Sequence, residues 1–225
     1  MNIQEKLMSR NGLATVKLAK QLLNMPVGDR IPTVVEMAGG NKMAVGTTFN
    51  ALRTLINDKA IEVIPRGHLG SFLVSKNINL LLGFAGIRHF IGVMPLPHDK
   101  KYEGLATALM SQLEEASTIP VDMAYMADAG KRAEKVLAER YDFAIVSKAE
   151  ADELLQNEKL VQVTVFEKGS YVAENTSVQE GSDVAVMLAA KDNEEVATLL
   201  KSLVDVAKIA EMQEKVVKGE IQPNY

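Results

Sequence analysis

The sequence predicts an α/β protein built from two parts that differ in their hydrophobic patterns. Residues 87–148 alternate between short apolar runs and amphipathic stretches, which is typical of parallel strands connected by helices. Residues 13–75 instead contain three stretches with helical spacing, followed by two short strand-like runs. We therefore predict two domains, residues 1–78 and residues 79–225.

Composition favours a soluble protein: 47% of the 225 residues are hydrophobic and 24% are charged. Without cysteine the chain has no disulfide framework, thiolate chemistry or zinc–cysteine site. The polar start MNIQEKLMSRNG lacks a signal-peptide pattern, and LLLGFAGI at residues 80–87 is too short to span a bilayer. We expect a cytoplasmic protein without membrane anchor, cofactor or metal, in which residues 80–87 form a buried connector.

Charge is divided unevenly along the chain. Residues 1–83 carry ten Lys or Arg and five Asp or Glu, a net +5, whereas the remainder carries fifteen against twenty-four, a net −9. A basic N-terminal part followed by an acidic remainder indicates that the N-terminal part binds an anionic partner, although chance clustering of charge is the alternative.

The first part has three helices and then a two-stranded hairpin. The first helix is predicted to end near Asn24. Thr33 and Glu36 form a capping-box signature for a short second helix, which a Gly-Gly pair at 39 and 40 is expected to end early. A third helix is predicted over residues 44–58, and IEVIP and SFLVS are predicted strands joined by RGHLG. This order defines a winged helix-turn-helix. The apolar residues at helical spacing in the first helix are Leu13, Val16, Leu18, Ala19, Leu22 and Leu23.

The third helix, within NKMAVGTTFNALRTL at residues 41–55, is predicted to have a packing face and an outward face. Thr, Asn and Arg side chains can bind bases or phosphates, and a glycine near the helix N-terminus lets a phosphate approach the backbone amides. An ordinary solvated face is the alternative. The predicted packing residues are Val45, Phe49, Leu52 and Ile56, and the predicted outward residues are Gly46, Thr47, Asn50, Arg53 and Thr54.

The hairpin tip adds further candidate DNA contacts. Arg66, Gly67 and His68 lie between the two strands, where Arg and His can reach a minor groove or phosphates. A plain turn with a solvated arginine is the alternative. Together the outward helix face and the basic tip predict binding to double-stranded DNA, with Thr33 as one more candidate contact.

GDRIPTVVEMAGG, VGTTFNALRTL and IEVIPRGHLGSFLV resemble the winged-helix module of GntR-type bacterial transcription regulators over about residues 10–76. Members of that family have a GDRLPS turn, an ALR.L recognition helix and a GxGtFV wing. The chain departs from this pattern at Ala44, where a serine cap is usual, and at Val45 and Phe49, where many members carry arginine. The resemblance implies a DNA-binding domain that relies less on arginine.

The second part predicts a ligand site at the carboxyl ends of its parallel strands, because ligands of open α/β sheets bind there. The predicted strands are IGVMPLP, VDMAYM and DFAIVS, and the predicted helices are YEGLATALMSQLEEA and AGKRAEKVLAERY. This placement selects residues 97–103 and residues 147–148. Pro97, His98 and Lys148 are candidates on this ground.

The sequence contains no recognisable catalytic set. Neither standard glycine-rich phosphate loop is present, and Ser147 has no obvious histidine partner. His98 and Glu103 are the best acid–base pair available, and a solvated histidine and a helix-start carboxylate are the alternatives. We therefore expect a protein that is not an enzyme.

MPLPHDKKYEGLATALMSQL, YDFAIVSKAEA and KGSYV are similar to segments of the YhfZ-type regulators, and the two resemblances cover most of residues 10–172. That family carries a GntR-like winged helix before a domain related to type II periplasmic ligand-binding proteins. The resemblance implies a cytoplasmic transcription regulator whose second domain binds a small effector between two lobes. The residues that match by position are Tyr102, Glu103, Gly104, Ser147, Gly169, Ser170 and Tyr171.

The last third of the chain predicts a second, smaller lobe reached through a crossover. VTVFEKGSYVAEN at residues 163–175 is predicted to be extended and broken at Lys168 and Gly169, DVAVML begins a strand, and NEEVATLLKSL and AEMQEKVVKGEI are helices. Type II binding folds usually continue beyond a GEIDA segment, whereas this sequence reads KGEIQPNY. We therefore expect a curtailed second lobe, with a shallow cleft or one completed by a partner subunit.

These observations favour a homodimeric, ligand-responsive regulator of transcription, whose two winged helices read half-sites about one DNA turn apart or a multiple of it. A dimeric DNA-binding scaffold with a vestigial second domain is the first alternative. An enzyme with an accessory winged helix is the second.

Overall fold

The computed structural model describes residues 9–172 and 182–223. The chain divides into two compact units, and the division falls between Arg88 and His89. This is ten residues beyond the predicted boundary at 78/79, because the segment that follows the hairpin is a helix that packs with the first unit.

The first unit contains four helices and one hairpin among its described residues. Helix α1 spans Arg10–Leu23, α2 spans Val34–Gly40 and α3 spans Val45–Asn57. Strand β1 (Ile61–Pro65) pairs antiparallel with β2 (Ser71–Lys76), and a short 3-10 turn at Gly67–Leu69 joins them. Helix α4 covers Ile78–Ala85. The predicted winged helix-turn-helix order is confirmed.

Local sequence explains where the first helices begin and end. The Ser9 side chain accepts a hydrogen bond from the backbone N–H of Gly12, and α1 ends with Asn24 as its C-cap, as predicted. The capping box of α2 is present: the Thr33 N–H donates to Glu36 Oε2 at 2.6 Å, and the Glu36 N–H donates to Thr33 Oγ1 at 3.3 Å. Helix α2 has seven residues and ends at Gly40, so the glycine pair ends it early, as predicted. The chain then turns at Lys42, with a φ of 55°.

The hairpin is tied to α1 by a lysine. Nζ of Lys76, at the end of β2, donates to the backbone oxygens of Leu23 and Met25 at 2.6 and 2.9 Å. These carbonyls lie at and just beyond the C-terminal end of α1, where backbone oxygens lack helical partners and a cation is favoured. Partial burial lowers the pKa of the Lys76 amine.

The expected connector at residues 80–87 is the helix α4 and its cap. Asn77 caps its start, and Gly86 ends it with a φ of 77°, a conformation that glycine adopts at low cost. Leu81, Leu82 and Ala85 are buried, and the helix packs against α1. Within the described residues, no helix is long and apolar enough to cross a membrane.

The second unit is built on one five-stranded sheet with the order β4-β3-β5-β7-β6. Strands β3 (Phe90–Met94), β4 (Val121–Tyr125) and β5 (Phe143–Ser147) are parallel, which confirms the prediction from their apolar runs. Strands β6 (Leu160–Lys168) and β7 (Val184–Ala190) complete the sheet in antiparallel pairs. The α/β class is therefore confirmed, with a mixed sheet.

The second, smaller lobe is a prediction that the described residues contradict. β7 pairs directly with β5, from Ala144 opposite Leu188 to Ser147 opposite Ala185, so the last strands extend the first sheet. The reason is burial: Ala185 to Ala190 of β7 are buried, and they are covered because β7 lies between β5 and β6 inside the sheet. The predicted break after β6 is present at Gly169, with a φ of 83°, whereas residues 173–175 of the predicted extended segment lie outside the described residues.

Helices cover the sheet of the second unit. Helix α5 spans Lys100–Ser117, α6 spans Ala129–Leu137, α7 spans Lys148–Leu154, α8 spans Glu194–Leu203 and α9 spans Val206–Val217. Helix α9 packs along α5, and Nε2 of Gln213 on α9 donates to the backbone oxygens of Lys101 and Ser170 at 2.8 and 3.0 Å. A Cβ on Gly104 would lie 2.9 Å from the Gln213 backbone oxygen, so the absence of a side chain at 104 allows the close contact.

Candidate functional site

Helix α3 presents a different face to the core from the one that the sequence predicted. Of the predicted packing residues only Leu52 is buried, whereas Val45, Phe49 and Ile56 are 48%, 52% and 39% exposed. The prediction was wrong because it placed the large apolar residues inside. The neighbouring helices and hairpin instead cover a stripe rotated around the helix, and the buried residues of that stripe are Thr48, Ala51, Leu52 and Leu55.

The predicted outward row does face away from the core. Gly46, Asn50, Arg53 and Thr54 are exposed, and Thr47 is half-buried. The Thr54 hydroxyl donates to the Asn50 backbone oxygen at 3.1 Å, so its hydrogen is committed within the helix. Asn50 and Arg53 thus carry most of the polar hydrogen-bonding capacity of this face.

The N-terminus of α3 has no side-chain cap. Ala44 occupies the N-cap and supplies no side-chain hydrogen bond, so the first N–H groups keep the partial positive charge of a helix start. A Cβ on Gly46 would meet nothing within 4 Å, so packing does not require glycine there. This end of the helix can accept an anion such as a phosphate.

The hairpin forms a wing, which we define as residues 61–76, with a cation at its tip. The Arg66 guanidinium carbon lies 4.6 Å from the centroid of the Phe72 ring, a cation–π contact. Gly67 and Gly70 have φ values of 57° and 90°, which let the chain reverse tightly, and His68 is exposed between them. The three tip candidates, Arg66, Gly67 and His68, therefore lie together on the surface.

Sequence reasoning missed Arg30, which lies beside the wing. Arg30 makes an isolated β-bridge with Phe72, and its Nε would lie 2.7 Å from a Cβ on Gly70. The GDR turn in the sequence could have drawn attention to Arg30, but a turn alone does not predict that this side chain approaches the wing. Thr33 is also exposed, with its hydroxyl accepting from Glu36 in the capping box.

In the second unit, the predicted residues at the carboxyl ends of the parallel strands come together around three rings. The His98 and Tyr102 centroids are 5.3 Å apart, and the Tyr102 and Tyr171 centroids are 5.1 Å apart, both edge to face. Tyr102 is fully buried, and its hydroxyl donates to the Val172 backbone oxygen at 3.1 Å. Tyr171 is also buried, whereas His98 is exposed and Pro97 half-buried.

A buried arginine that sequence reasoning missed organises this cluster. Arg132 in α6 is fully buried, and its Nη1 donates to the backbone oxygens of Met126 and Ala127, each at 2.7 Å. Its Nη2 donates to the Tyr171 hydroxyl at 3.2 Å and lies 3.6 Å from Glu150 Oε2. The Tyr171 hydroxyl donates to the same Glu150 oxygen at 3.3 Å. The sequence signal that could have identified Arg132 is its position beside Ala133, on the buried face of an amphipathic helix.

Burial raises the pKa of the Tyr171 hydroxyl, against the opposing effect of the Arg132 charge. The hydroxyl therefore stays protonated and can donate to Glu150. Within the described residues Arg132 Nε has no hydrogen-bond partner, so this cluster leaves one buried donor unused.

The remaining predicted residues mostly serve the fold. Ser147 and Glu150 form the capping box of α7, and Lys148 pairs with Asp152 one turn along that helix. Ser170 Oγ accepts from the Ala185 N–H at 2.9 Å. Gly104 lies against α9, and Glu103 is half-buried in the first turn of α5.

An open groove lies next to these residues. It has a volume of about 400 Å³ and runs between the start of α5, the end of β6 and helix α9. Its polar lining mixes both charges, so it can bind polar groups of either sign. The residues that contribute these groups are Lys101, Glu167, Lys168, Ser170, Glu211, Gln213 and Glu214.

Two parts of the chain match known protein families. Residues 26–73 match a helix-turn-helix domain, and residues 77–183 match the YhfZ C-terminal domain. The second match begins at residue 77, just before α4, although α4 packs with the first unit. The first match is to a general helix-turn-helix domain, so membership of the GntR type stays a prediction.

Individual relatives agree with these matches. The chain is 34% identical over 185 residues, 82% of its length, to the uncharacterized protein YhfZ of Escherichia coli strain K12, and it spans 60% of that relative's length. The crystal structure of YhfZ from Shigella flexneri has a TM-score of 0.55 at 22% identity, covering 62% of this chain and all of that one. The methionine-binding protein MetQ has a TM-score of 0.39 at 11% identity, covering 61% of this chain and 98% of that one. Similarity at that last level says nothing about ligands.

Fold and surface define a helix-turn-helix protein with an α/β second unit. The resemblance to YhfZ-type proteins that the sequence predicted is confirmed.

Proposed function

We propose that this protein is a cytoplasmic, DNA-binding regulator of transcription. The observation that carries the proposal is the pairing of two exposed surfaces in one helix-turn-helix unit: Asn50 and Arg53 on α3, and Arg66 at the tip of the wing. Asn and Arg are the side chains that form two-point hydrogen bonds with adenine and guanine in the major groove. The match of residues 26–73 to a helix-turn-helix domain supports the same conclusion.

In this proposal α3 enters the major groove with its N-terminal end, where the uncapped amides and Gly46 face a phosphate. The wing lies along the neighbouring backbone, where Arg66 and Arg30 supply positive charge. One arginine on α3 gives a single half-site modest affinity. We therefore propose that the protein binds as a homodimer to two half-sites.

We propose further that the second unit binds a small-molecule effector. The tyrosine cluster around Arg132 is closed, whereas the groove between α5 and α9 is open and adjoins Ser170. Gln213 spans α5, Ser170 and α9, so occupancy of the groove would act on all three. An effector shifts a regulator only if it binds its two states unequally. We propose no catalytic role.

The test of DNA binding is selection of fragments from the source genome with the full-length protein, followed by gel shifts over a range of salt concentrations. We expect specific fragments whose affinity falls as salt rises, because phosphate contacts release counterions. R53A should weaken binding about five-fold or more, since a two-point contact with a base contributes about 1–3 kcal/mol. R140A, which removes an exposed arginine of the second unit, is the matched control and should bind normally.

Absence of any specific fragment at every salt concentration, with folded protein present, would contradict the proposed function. Effector binding is tested separately by a thermal-shift screen of the full-length chain against metabolites. A saturable shift that is lost in K101A supports the groove. A screen without any saturable shift favours the scaffold alternative.

A further inference from the structure

Three large apolar side chains on α3 remain exposed to solvent. Val45, Phe49 and Ile56 are 48%, 52% and 39% exposed, although the same helix buries a separate stripe against the core. Single exposed apolar residues are ordinary, but these three lie within about 40° of one another around the helix axis. They form an apolar strip, which we define as Val45, Phe49 and Ile56.

The strip borders the polar row proposed to read DNA. Phe49 lies one turn after Val45 and one turn before Arg53, and Asn50 follows it directly. A helix that places Arg53 against a base edge therefore brings Phe49, about 6 Å away along its axis, within about two base pairs of that contact. Phe49 is a ring with few rotatable bonds, so its position follows that of the helix.

The two ends of the strip differ in reach. The N-terminal residues of a recognition helix contact base edges, whereas its C-terminal end rises out of the groove. Val45 is the first residue of α3 and Phe49 the fifth, while Ile56 is next to last. Ile56 lies about 10 Å further along the axis than Phe49. Val45 and Phe49 can thus meet bases, and Ile56 serves as an internal comparison.

The major groove offers one apolar group to such residues, the 5-methyl group of thymine. On the basis of the proposed function, we propose that Phe49, with Val45 beside it, selects thymine by contact with this methyl group. Each half-site then contains a thymine within about two base pairs of the one that Arg53 contacts. Phe49 is a specificity-determining residue in which burial of a methyl group replaces a hydrogen bond.

The experiment begins with half-sites selected from random DNA by the full-length protein. Each thymine is then replaced by deoxyuridine, which lacks only the methyl group, and affinity is measured by gel shift or fluorescence anisotropy. We expect one or two positions at which the wild-type protein loses about four-fold in affinity, the value for burying one methyl group. F49A should bind the thymine and deoxyuridine sites equally at one of these positions.

I56A is the matched control, because it removes an exposed apolar side chain of the same strip. It should keep the wild-type difference between thymine and deoxyuridine. The F49A fold is checked by circular dichroism and thermal melting, and the exposure of Phe49 predicts little change.

The outcomes separate this inference from the proposed function. Specific binding with no sensitivity to deoxyuridine at any position contradicts thymine reading and leaves the regulator intact. An F49A variant that keeps the full difference also contradicts it. Loss of dimer in F49A, measured by analytical ultracentrifugation, shows that the strip binds a second copy of the chain and overturns the inference. Absence of specific DNA binding contradicts the proposed function itself.

Discussion

The guanidinium carbon of Arg66 lies 4.6 Å from the centroid of the Phe72 ring, so the wing's arginine is held against the strand that follows it. A planar, delocalised cation stacks on an aromatic face better than an ammonium does. The contact restricts the side chain before any partner arrives, which lowers the entropy lost when Arg66 meets a phosphate.

R66A should weaken DNA binding at every sequence to a similar extent and reduce the salt dependence of affinity by about one unit of slope. The reason is the loss of one phosphate contact, which carries no sequence information. R66K should recover only part of the affinity, because a lysine keeps the charge and loses the stacking. Titrations at several salt concentrations measure both effects, and an unchanged slope in R66A would place Arg66 away from the DNA.

We expect the substitution G46A to raise the stability of the protein and to weaken its binding to DNA. A Cβ at Gly46 meets nothing within 4 Å, and alanine is favoured over glycine inside a helix by about 0.5–1 kcal/mol, so the melting temperature should rise. Affinity for DNA should fall, because the methyl group separates the backbone from the phosphate. G83A is the control: Gly83 in α4 is also unobstructed, and its substitution should raise stability and leave affinity unchanged. Equal affinity in G46A and the wild type would contradict a close backbone approach.

G104A should destabilise the second unit by about 1–3 kcal/mol, the usual cost of overpacking a tight contact. The added Cβ would lie 2.9 Å from the Gln213 backbone oxygen and 3.0 Å from its Cγ, so α5 and α9 must move apart. Chemical denaturation measures the loss, again with G83A for comparison. A G104A protein as stable as the wild type would show that α9 adjusts freely to α5.

Asp142 should make stability depend on pH. Its carboxylate accepts from the Ile91 N–H at 2.8 Å, but burial outweighs this bond and the nearby His89 and raises the pKa of the carboxyl above its ordinary value of 3.8. A raised folded-state pKa means that the folded protein holds the proton more tightly than the unfolded chain. Stability from this group is therefore fully present below pH 3.8 and is lost as pH rises through the folded-state pKa.

D142N should lack this loss, since an asparagine oxygen can accept the same hydrogen bond without ionising. The stability difference between D142N and the wild type should grow in favour of D142N as pH rises from below 3.8, then level off. Denaturant titrations between pH 3 and pH 7 measure it, with D122N on the exposed edge of β4 as control. A constant difference across that range would contradict the raised pKa.

The elements of both units follow from patterns that are local in sequence. The capping box at Thr33, the strands on either side of Arg66 and the buried Leu105, Leu109 and Leu113 of α5 all depend on neighbours a few residues away. Periodicity, caps and turn residues report such short-range interactions. The family resemblance, by contrast, selected Tyr171 together with Tyr102, and the structure brings their rings into contact.

Local sequence patterns do not predict which face of a helix is buried or which distant residues come into contact. Hydrophobicity alone placed Phe49 inside, but which side of α3 is covered depends on how the neighbouring helices and the hairpin pack. Arginine side chains are usually exposed. Arg132 is buried because its guanidinium donates to the backbone oxygens of Met126 and Ala127 and to the Tyr171 hydroxyl. It also pairs with Glu150.

Periodicity, capping and turn chemistry along the chain are enough to predict the order of elements, the winged helix-turn-helix and the class of the second unit. They do not predict that β7 joins β5 in one sheet, that Tyr102 and Tyr171 are buried together or that α3 exposes an apolar strip. These three features depend on contacts between residues far apart in the chain. A residue's own hydrophobicity sets what burial contributes, and the surrounding elements set whether it occurs.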